Sequence, residues 1–177
     1  MTQARDALPD TIQTARLTLR APHLDDLNDL VTLANNPKVI MMTAGLPLPY
    51  LEEHGRGFIE RYSQKPGNRS YAIADAENRL IGVIGLYFFD DKPVELGYWL
   101  GEPFWGQGYV PEAIAALLET ARATGLCSTI NARVLADNPA SVRVLEKSGF
   151  AITEHTHSVV ERHRGKPLLI LSWSATP

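Results

Sequence analysis

The chain has a single cysteine, Cys127, among 177 residues. One cysteine cannot close an intramolecular disulfide, which fits a reducing compartment. No histidine or lysine adjoins it in sequence, so it reads as a small core residue rather than a nucleophile. No run of lysine and arginine stands out, and the formal charge is −3, which disfavours nucleic-acid binding. The longest apolar run, residues 80–89, is too short for a membrane span. The first nine residues lack the basic and apolar segments of a signal peptide. A cytoplasmic protein that does not associate with membranes is expected. The histidines are His23, His54, His155, His157 and His163. Only His155 and His157 are close, and two residues of one strand face do not make a ligand set, so no metal is expected.

What the chain does have is enough length for one hydrophobic core. Residues 1–14 read as a flexible N-terminal tail and 15–177 as a single domain. Residues 16–20 alternate as a short strand. Leu24, Leu27, Leu30, Val31 and Ala34 then recur at helical spacing, with Asp25, Asp26 and Asp29 near the positive end of the helix dipole. Asn35-Asn36-Pro37 stops that helix. Residues 38–50, with Met41, Met42, Pro47 and Pro49, read as an apolar loop that lines a pocket or packs under the chain. A second helix is expected near 51–64, weakened by Gly55 and Gly57.

Strands follow over 70–74, 80–89 and 94–100, joined by short turns, which implies an antiparallel meander. A helix over about 110–124 connects to a strand over 128–135, so that strand and the one before it should be parallel. Asn138-Pro139 supplies an N-cap and a first-turn proline for another helix. Two last strands are expected near 150–161 and 167–174. The fold class is α/β: one mixed, mostly antiparallel twisted sheet with a splayed parallel pair, flanked by about four helices. A final exposed strand would let a second copy pair with it, giving a homodimer.

Chemistry concentrates in residues 94–113. A strand, a loop containing Gly106 and Gly108, and a helix start occur in order. Helix N-termini carry N–H groups without intrahelical acceptors and a positive dipole end. Glycines let such a backbone curl round an anion. Gln107, Gly108, Tyr109 and Val110 are therefore candidates to hold a phosphate or pyrophosphate, the other reading being a tight turn that needs glycine for shape. Pro111 offers no N–H. A P-loop is unsupported because no Gly-Lys-Ser/Thr occurs, and the third glycine of a dinucleotide fingerprint is missing.

The segments Tyr98-Trp99-Leu100, Phe104-Trp105-Gly106-Gln107-Gly108-Tyr109 and Glu112-Ala113 resemble the acetyl-CoA-binding motif of the GNAT superfamily of N-acetyltransferases. Asn138-Pro139-Ala140-Ser141, followed by Glu146-Lys147-Ser148-Gly149-Phe150, resembles the next motif of that family. With the opening Ala15-Arg16-Leu17-Thr18-Leu19-Arg20, the likeness is to the branch of ribosomal-protein N-terminal acetyltransferases, over roughly residues 14–174. Trp105 and Val110 depart from the commoner residues at those positions.

The resemblance implies acetyl-CoA as cosubstrate and direct transfer of acetyl to a primary amine, on a protein N-terminus such as that of a ribosomal protein or on a small molecule. It implies that the pantetheine arm lies in the splay, paired with backbone at Trp99, Leu100 and Gly101 as an added strand. Pyrophosphate would rest on Gln107 to Val110, and Asn138 and Ser141 would approach the arm from the other side. Glu95, opening the central strand, is the candidate base; its other reading is an exposed or ion-paired carboxylate. Ser141 would hydrogen-bond or help protonate the departing sulfur; its other reading is a first-turn residue bonding local backbone. Glu112 is read as stabilising its helix. Arg143 and Lys147 read as a solvated face. Two rival functions remain: a non-catalytic acyl-CoA-binding protein, which would need no base, and a nucleotide-binding protein using the same loop.

Overall fold

The computed structural model describes residues 6–175. Strands β1 (Thr11–Gln13) and β2 (Thr18–Arg20) form a hairpin. Helices α1 (Leu27–Ala34), α2 (Pro37–Ile40) and α3 (Glu52–Gly57) follow, the last continuing as a π-helical turn over Phe58–Tyr62. The meander is β3 (Asn68–Ala74), β4 (Leu80–Tyr87) and β5 (Val94–Leu100). Then come α4 (Tyr109–Ala123), β6 (Thr129–Leu135), α5 (Pro139–Lys147), β7 (Ala151–His157) and β8 (Pro167–Ser174).

All eight strands join one sheet in the order β1-β2-β3-β4-β5-β6-β8-β7. Among the described residues only β5 and β6 are parallel, and their pairing stops after Leu96 meets Ala132. The expected α/β class, meander and parallel pair are all present. The last strand is not an edge, however. β8 inserts between β6 and β7, pairing with both, so the edge at that end of the sheet is β7, with β1 at the other.

Apolar residues lie on both faces of the sheet. Tyr71, Ile73, Leu96, Ile114, Leu117, Ile130 and Leu171 belong to the core under α4 and α5. Leu30, Ala34, Ile40, Tyr50, Ala72 and Val83 belong to a second core under α1 and α3. Burial on both faces explains why β4 and the second half of β3, residues 71–74, read as continuous apolar runs rather than alternating ones. Gly55 permits the close contact of α3 with α1: a Cβ there would lie 2.9 Å from Leu27 Cδ1.

Two further expectations change. The segment expected as a tail includes β1, and Leu8 ahead of it is buried. Arg69 and the Tyr71 hydroxyl both donate to the Pro9 carbonyl, so polar anchors on β3 hold residues 8–10 down. Residues 1–5 lie outside the described residues. Asn36-Pro37, expected only to stop α1, also starts α2: the Asn36 side chain accepts from the Lys38 N–H at 2.9 Å, with proline in the first turn. Among the described residues this gives five α-helices, against the about four expected.

Candidate active site

The parallel strands separate after Leu96, and a cavity of about 950 Å³ opens where they part. Successive side chains of a strand point to opposite faces. Leu96, Tyr98 and Leu100 accordingly pack towards the α4–α5 core, while Trp99 packs towards the α1–α3 core with Glu95 and Gly97 on its face. Glu95, Tyr98, Trp99, Asn138 and Ser141 all line the cavity.

Glu95 is ion-paired, and the pairing leaves both of its readings open. Arg133 Nη2 lies 2.6 Å and Lys92 Nζ 3.1 Å from its Oε1. Both cations grip the same oxygen. Oε2 has no hydrogen-bond partner among the described residues. Arg133 stands on β6 two residues beyond Asn131, the register partner of Glu95. The parallel pairing could have suggested it, but the sequence alone does not fix that register.

On the opposite face, Asn138 caps α5 by accepting the Ser141 N–H at 3.2 Å. The Ser141 hydroxyl lies 2.5 Å from the Tyr98 hydroxyl. Burial is the largest influence on the Tyr98 phenol and raises its pKa, against a smaller opposing effect of the Ser141 contact. Tyr98 went unassigned from sequence, although strand alternation separates it from Glu95.

Leu100 and Gly101 do not line the cavity. The Leu100 carbonyl accepts from the Trp105 indole at 2.8 Å, and the Gly101 N–H donates to Ile81 of β4 at 2.9 Å. Of the three residues expected to present backbone to the arm, Trp99 lines the cavity. The loop of Gln107, Gly108, Tyr109 and Val110 also stands outside the cavity lining, at the start of α4. Gly108 adopts φ +80°, a left-handed conformation suited to glycine. Arg16 Nη1 donates to the Gln107 carbonyl at 2.9 Å, and its guanidinium lies 4.6 Å from the centre of the Tyr109 ring.

Glu112, expected to stabilise its own helix, makes its contacts to the β1–β2 hairpin. It accepts from Thr14 Oγ1 (2.6 Å), Arg16 N (2.8 Å) and Arg16 Nε (2.7 Å), fastening the β1–β2 hairpin to α4. Burial alone would raise its pKa, but the bonds from Thr14 and Arg16 outweigh it and hold the carboxyl below its ordinary range. Cys127 is half-buried against the core, and burial raises its thiol pKa. Arg143 and Lys147 are exposed. Of the close histidine pair only His157 lines the cavity, and among the described residues no group of three or more His, Cys, Asp or Glu could hold a metal. No helix among them is long and apolar enough to cross a membrane.

The pocket-lining reading of the loop over residues 38–50 covers Met42 and Tyr50, but the rest of the cavity wall escaped the sequence reading. Tyr50, Phe58, Tyr62, Tyr87 and Phe89 make the wall aromatic, and Met42 contributes from the apolar loop. Their separation in sequence leaves no local pattern. His163 lines the same cavity, is 3% exposed, and its Nε2 has no hydrogen-bond partner among the described residues. Burial lowers its pKa, Arg162 and Lys166 add to the effect, and the Met41 backbone and Asp137 oppose it.

A folded-state pKa below the ordinary ~6.5 means the unfolded chain binds more protons in that range, so this contribution is fully present above ~6.5 and fades as pH falls below it. The melting temperature should drop between about pH 7.5 and pH 5.5, and His163→Gln should make that drop shallower. An identical drop in the variant would remove His163 as its source.

The sheet thus opens at a parallel pair, and the opened strand β5 leads through a glycine-containing loop to the start of α4. The sequence profile of the acetyltransferase (GNAT) domain matches residues 16–151, and the chain belongs to that family of N-acetyltransferases. It is 27% identical over 147 residues to the uncharacterized N-acetyltransferase p20 of Bacillus licheniformis, covering 80% of this chain and 82% of that protein. Its fold is similar to that of RimL, a ribosomal alpha-N-protein acetyltransferase solved with coenzyme A: TM-score 0.81, 21% identity, 93% of this chain and 97% of that one. It is also similar to spermidine N-acetyltransferase from Vibrio cholerae, solved with CoA and spermine: TM-score 0.78, 21% identity, 90% and 96% of the two chains.

Proposed function

We propose that this enzyme transfers acetyl from acetyl-CoA directly to a free α-amine, the N-terminus of a polypeptide, without a covalent enzyme intermediate. The observation that carries the acceptor class is the state of Glu95. Arg133 and Lys92 already compensate Glu95, the carboxylate on the parallel pair, while Glu53 and Glu154 line the cavity from other elements. A polycationic amine would find that charge occupied. An α-amine asks less: with a pKa of ~7.7 it is about 15% neutral at pH 7, against about 0.04% for a lysine amine near 10.4. Deprotonation costs about 1 kcal/mol for the first and about 4.6 kcal/mol for the second.

In this reading the thioester lies in the gap between β5 and β6. The amine enters on the face of Glu95, and its nitrogen attacks the carbonyl carbon. Glu95 Oε2 takes the proton, directly or through water. The C–S electron pair goes to sulfur on the opposite face, where Ser141 donates a hydrogen bond. The aromatic wall suits an amine that arrives partly as ammonium. Trp99 backbone, Asn138 and Ser141 flank the arm, and Gln107 to Val110 hold pyrophosphate at the helix N-terminus.

Thiol release with peptides of free or blocked N-terminus, a lysine-only peptide and a polyamine tests the acceptor. Turnover confined to free α-amines is expected. Preference for the polyamine or the lysine peptide would overturn the α-amine assignment, and binding of CoA without turnover of any amine would favour a non-catalytic acyl-CoA-binding protein. Gly108→Val tests the loop. A β-branched residue at φ +80° is strained by about 1–2 kcal/mol, although the nearest atom to an added Cβ, Arg16 Nη2, lies 3.4 Å away. The variant should stay folded and bind acetyl-CoA at least about tenfold more weakly, a loss of ~1.4 kcal/mol, by calorimetric titration. Unchanged affinity would remove the loop as the phosphate site.

A further inference from the structure

We infer that Tyr98 is a positioning residue that fixes the direction of the Ser141 hydroxyl: Tyr98 O–H donates to Ser141 Oγ, which leaves the serine hydrogen free to point into the splay at the sulfur of CoA. The inference rests on the proposed use of CoA.

The two hydroxyls are 2.5 Å apart, close enough for a strong hydrogen bond with either as donor. Chemistry decides between the two directions. A phenol is a far stronger acid than an aliphatic alcohol, and the alcohol oxygen is the better acceptor. The phenol therefore donates. Burial supports this by disfavouring the phenolate, which would be the acceptor-only form. Ser141 has little freedom otherwise. Its backbone N–H is held by the Asn138 side chain, and its position in the first turn of α5 is set by Pro139. A hydroxyl has one hydrogen to give and two lone pairs to accept with. With one lone pair taken by Tyr98, the hydrogen is available for another acceptor.

The opposite direction would work against the reaction. A serine that donated to Tyr98 would turn a lone pair towards a sulfur gaining negative charge. When the amine attacks, the N–C bond forms, the C–S bond breaks and its electron pair stays on sulfur. Tyr98 changes no bond in this step. It keeps Ser141 oriented so that the thiolate meets a hydrogen. The sulfur takes its proton from water as CoA departs, balancing the proton lost by the amine.

The test uses the intact enzyme with bound CoA, so it needs no acceptor. The thiolate's ultraviolet absorbance reports titration of the CoA thiol. Bound to wild type, the thiol should titrate at least about half a pH unit lower than free CoA, because a hydrogen bond stabilises the thiolate. In Tyr98→Phe, Ser141→Ala and the double variant that lowering should shrink to the same extent, because the two side chains act as one unit. With an acceptor in hand, kcat should fall about tenfold in Tyr98→Phe at a little-changed KM for acetyl-CoA, and the double variant should be no slower than Ser141→Ala.

Three results would overturn the inference while CoA still binds by calorimetry. They are a wild-type thiol that titrates as in free CoA, a Tyr98→Phe variant indistinguishable from wild type, and losses that multiply in the double variant. Failure of CoA to bind the folded wild type would instead overturn the proposed function itself.

Discussion

Exchange of Asp26 for alanine should lower the free energy of unfolding by about 3–5 kcal/mol, the range for removing one partner of a buried ion pair. Asp26 is 3% and Arg20 12% exposed, and the contact is two-pronged, with Arg20 Nη1 and Nη2 each 2.8 Å from a carboxylate oxygen. Asp26 also accepts the His23 N–H, while Arg20 donates through Nε to the Asn78 side chain and through Nη2 to its carbonyl. The pair thus joins the entry to α1, strand β2 and the β3–β4 turn. Alanine would leave the guanidinium buried without its counter-charge, and that desolvation is the source of the effect. Chemical denaturation measures it. The double replacement Arg20→Met with Asp26→Leu should recover most of the loss, because it removes both charges instead of stranding one. A loss in Asp26→Ala below 1 kcal/mol would show the guanidinium finding water instead.

Local patterns of the sequence carry much of this architecture. The meander follows from short turns between apolar runs, and the β5–β6 parallel pair from the α4 crossover between them. Asn138 caps α5 as its spacing with Pro139 and Ser141 requires. The same Asn-Pro chemistry at Asn36 was legible but ambiguous, because the residues that stop one helix also start another. What depends on distant pairing was not legible. Arg133 meets Glu95 across the 38 residues that separate them in sequence, and Thr14 and Arg16 meet Glu112 across 98 and 96. Nothing local marks those partners. The insertion of β8 between β6 and β7 is a choice among sheet edges that alternation alone leaves degenerate.

Within the motif at residues 98–101, the sequence locates the segment but not its bonds to other parts of the chain: the Leu100 carbonyl accepts from the Trp105 indole and the Gly101 N–H donates to Ile81. Tyr98 is another case. It stands inside a motif read for its backbone, and its side chain reaches a serine of the next motif.

Glu95→Gln should reduce kcat by about 10²–10⁴-fold, the usual contribution of a positioned general base, with little change in the affinity for acetyl-CoA. Glutamine is nearly the same shape, and its carbonyl can still accept from Arg133, so the substitution removes a proton acceptor with little change in local packing. The residual activity should betray the missing base. In wild type the carboxylate can accept the proton that the amine sheds. In the variant only amine already neutral can react, so the rate should climb about tenfold per pH unit until the α-amine pKa near 7.7 is passed. Arg133→Met makes the complementary control, since it leaves the carboxylate but releases Oε1 from the 2.6 Å contact. If Glu95 acts as base and Arg133 only positions it, Arg133→Met should lower kcat less than Glu95→Gln does, and their combination should be no worse than Glu95→Gln alone. A Glu95→Gln enzyme within about threefold of wild-type kcat would assign the carboxylate to the Lys92–Arg133 ion pairs only, and an α-amine free to lose its proton to water would then need no base from the protein.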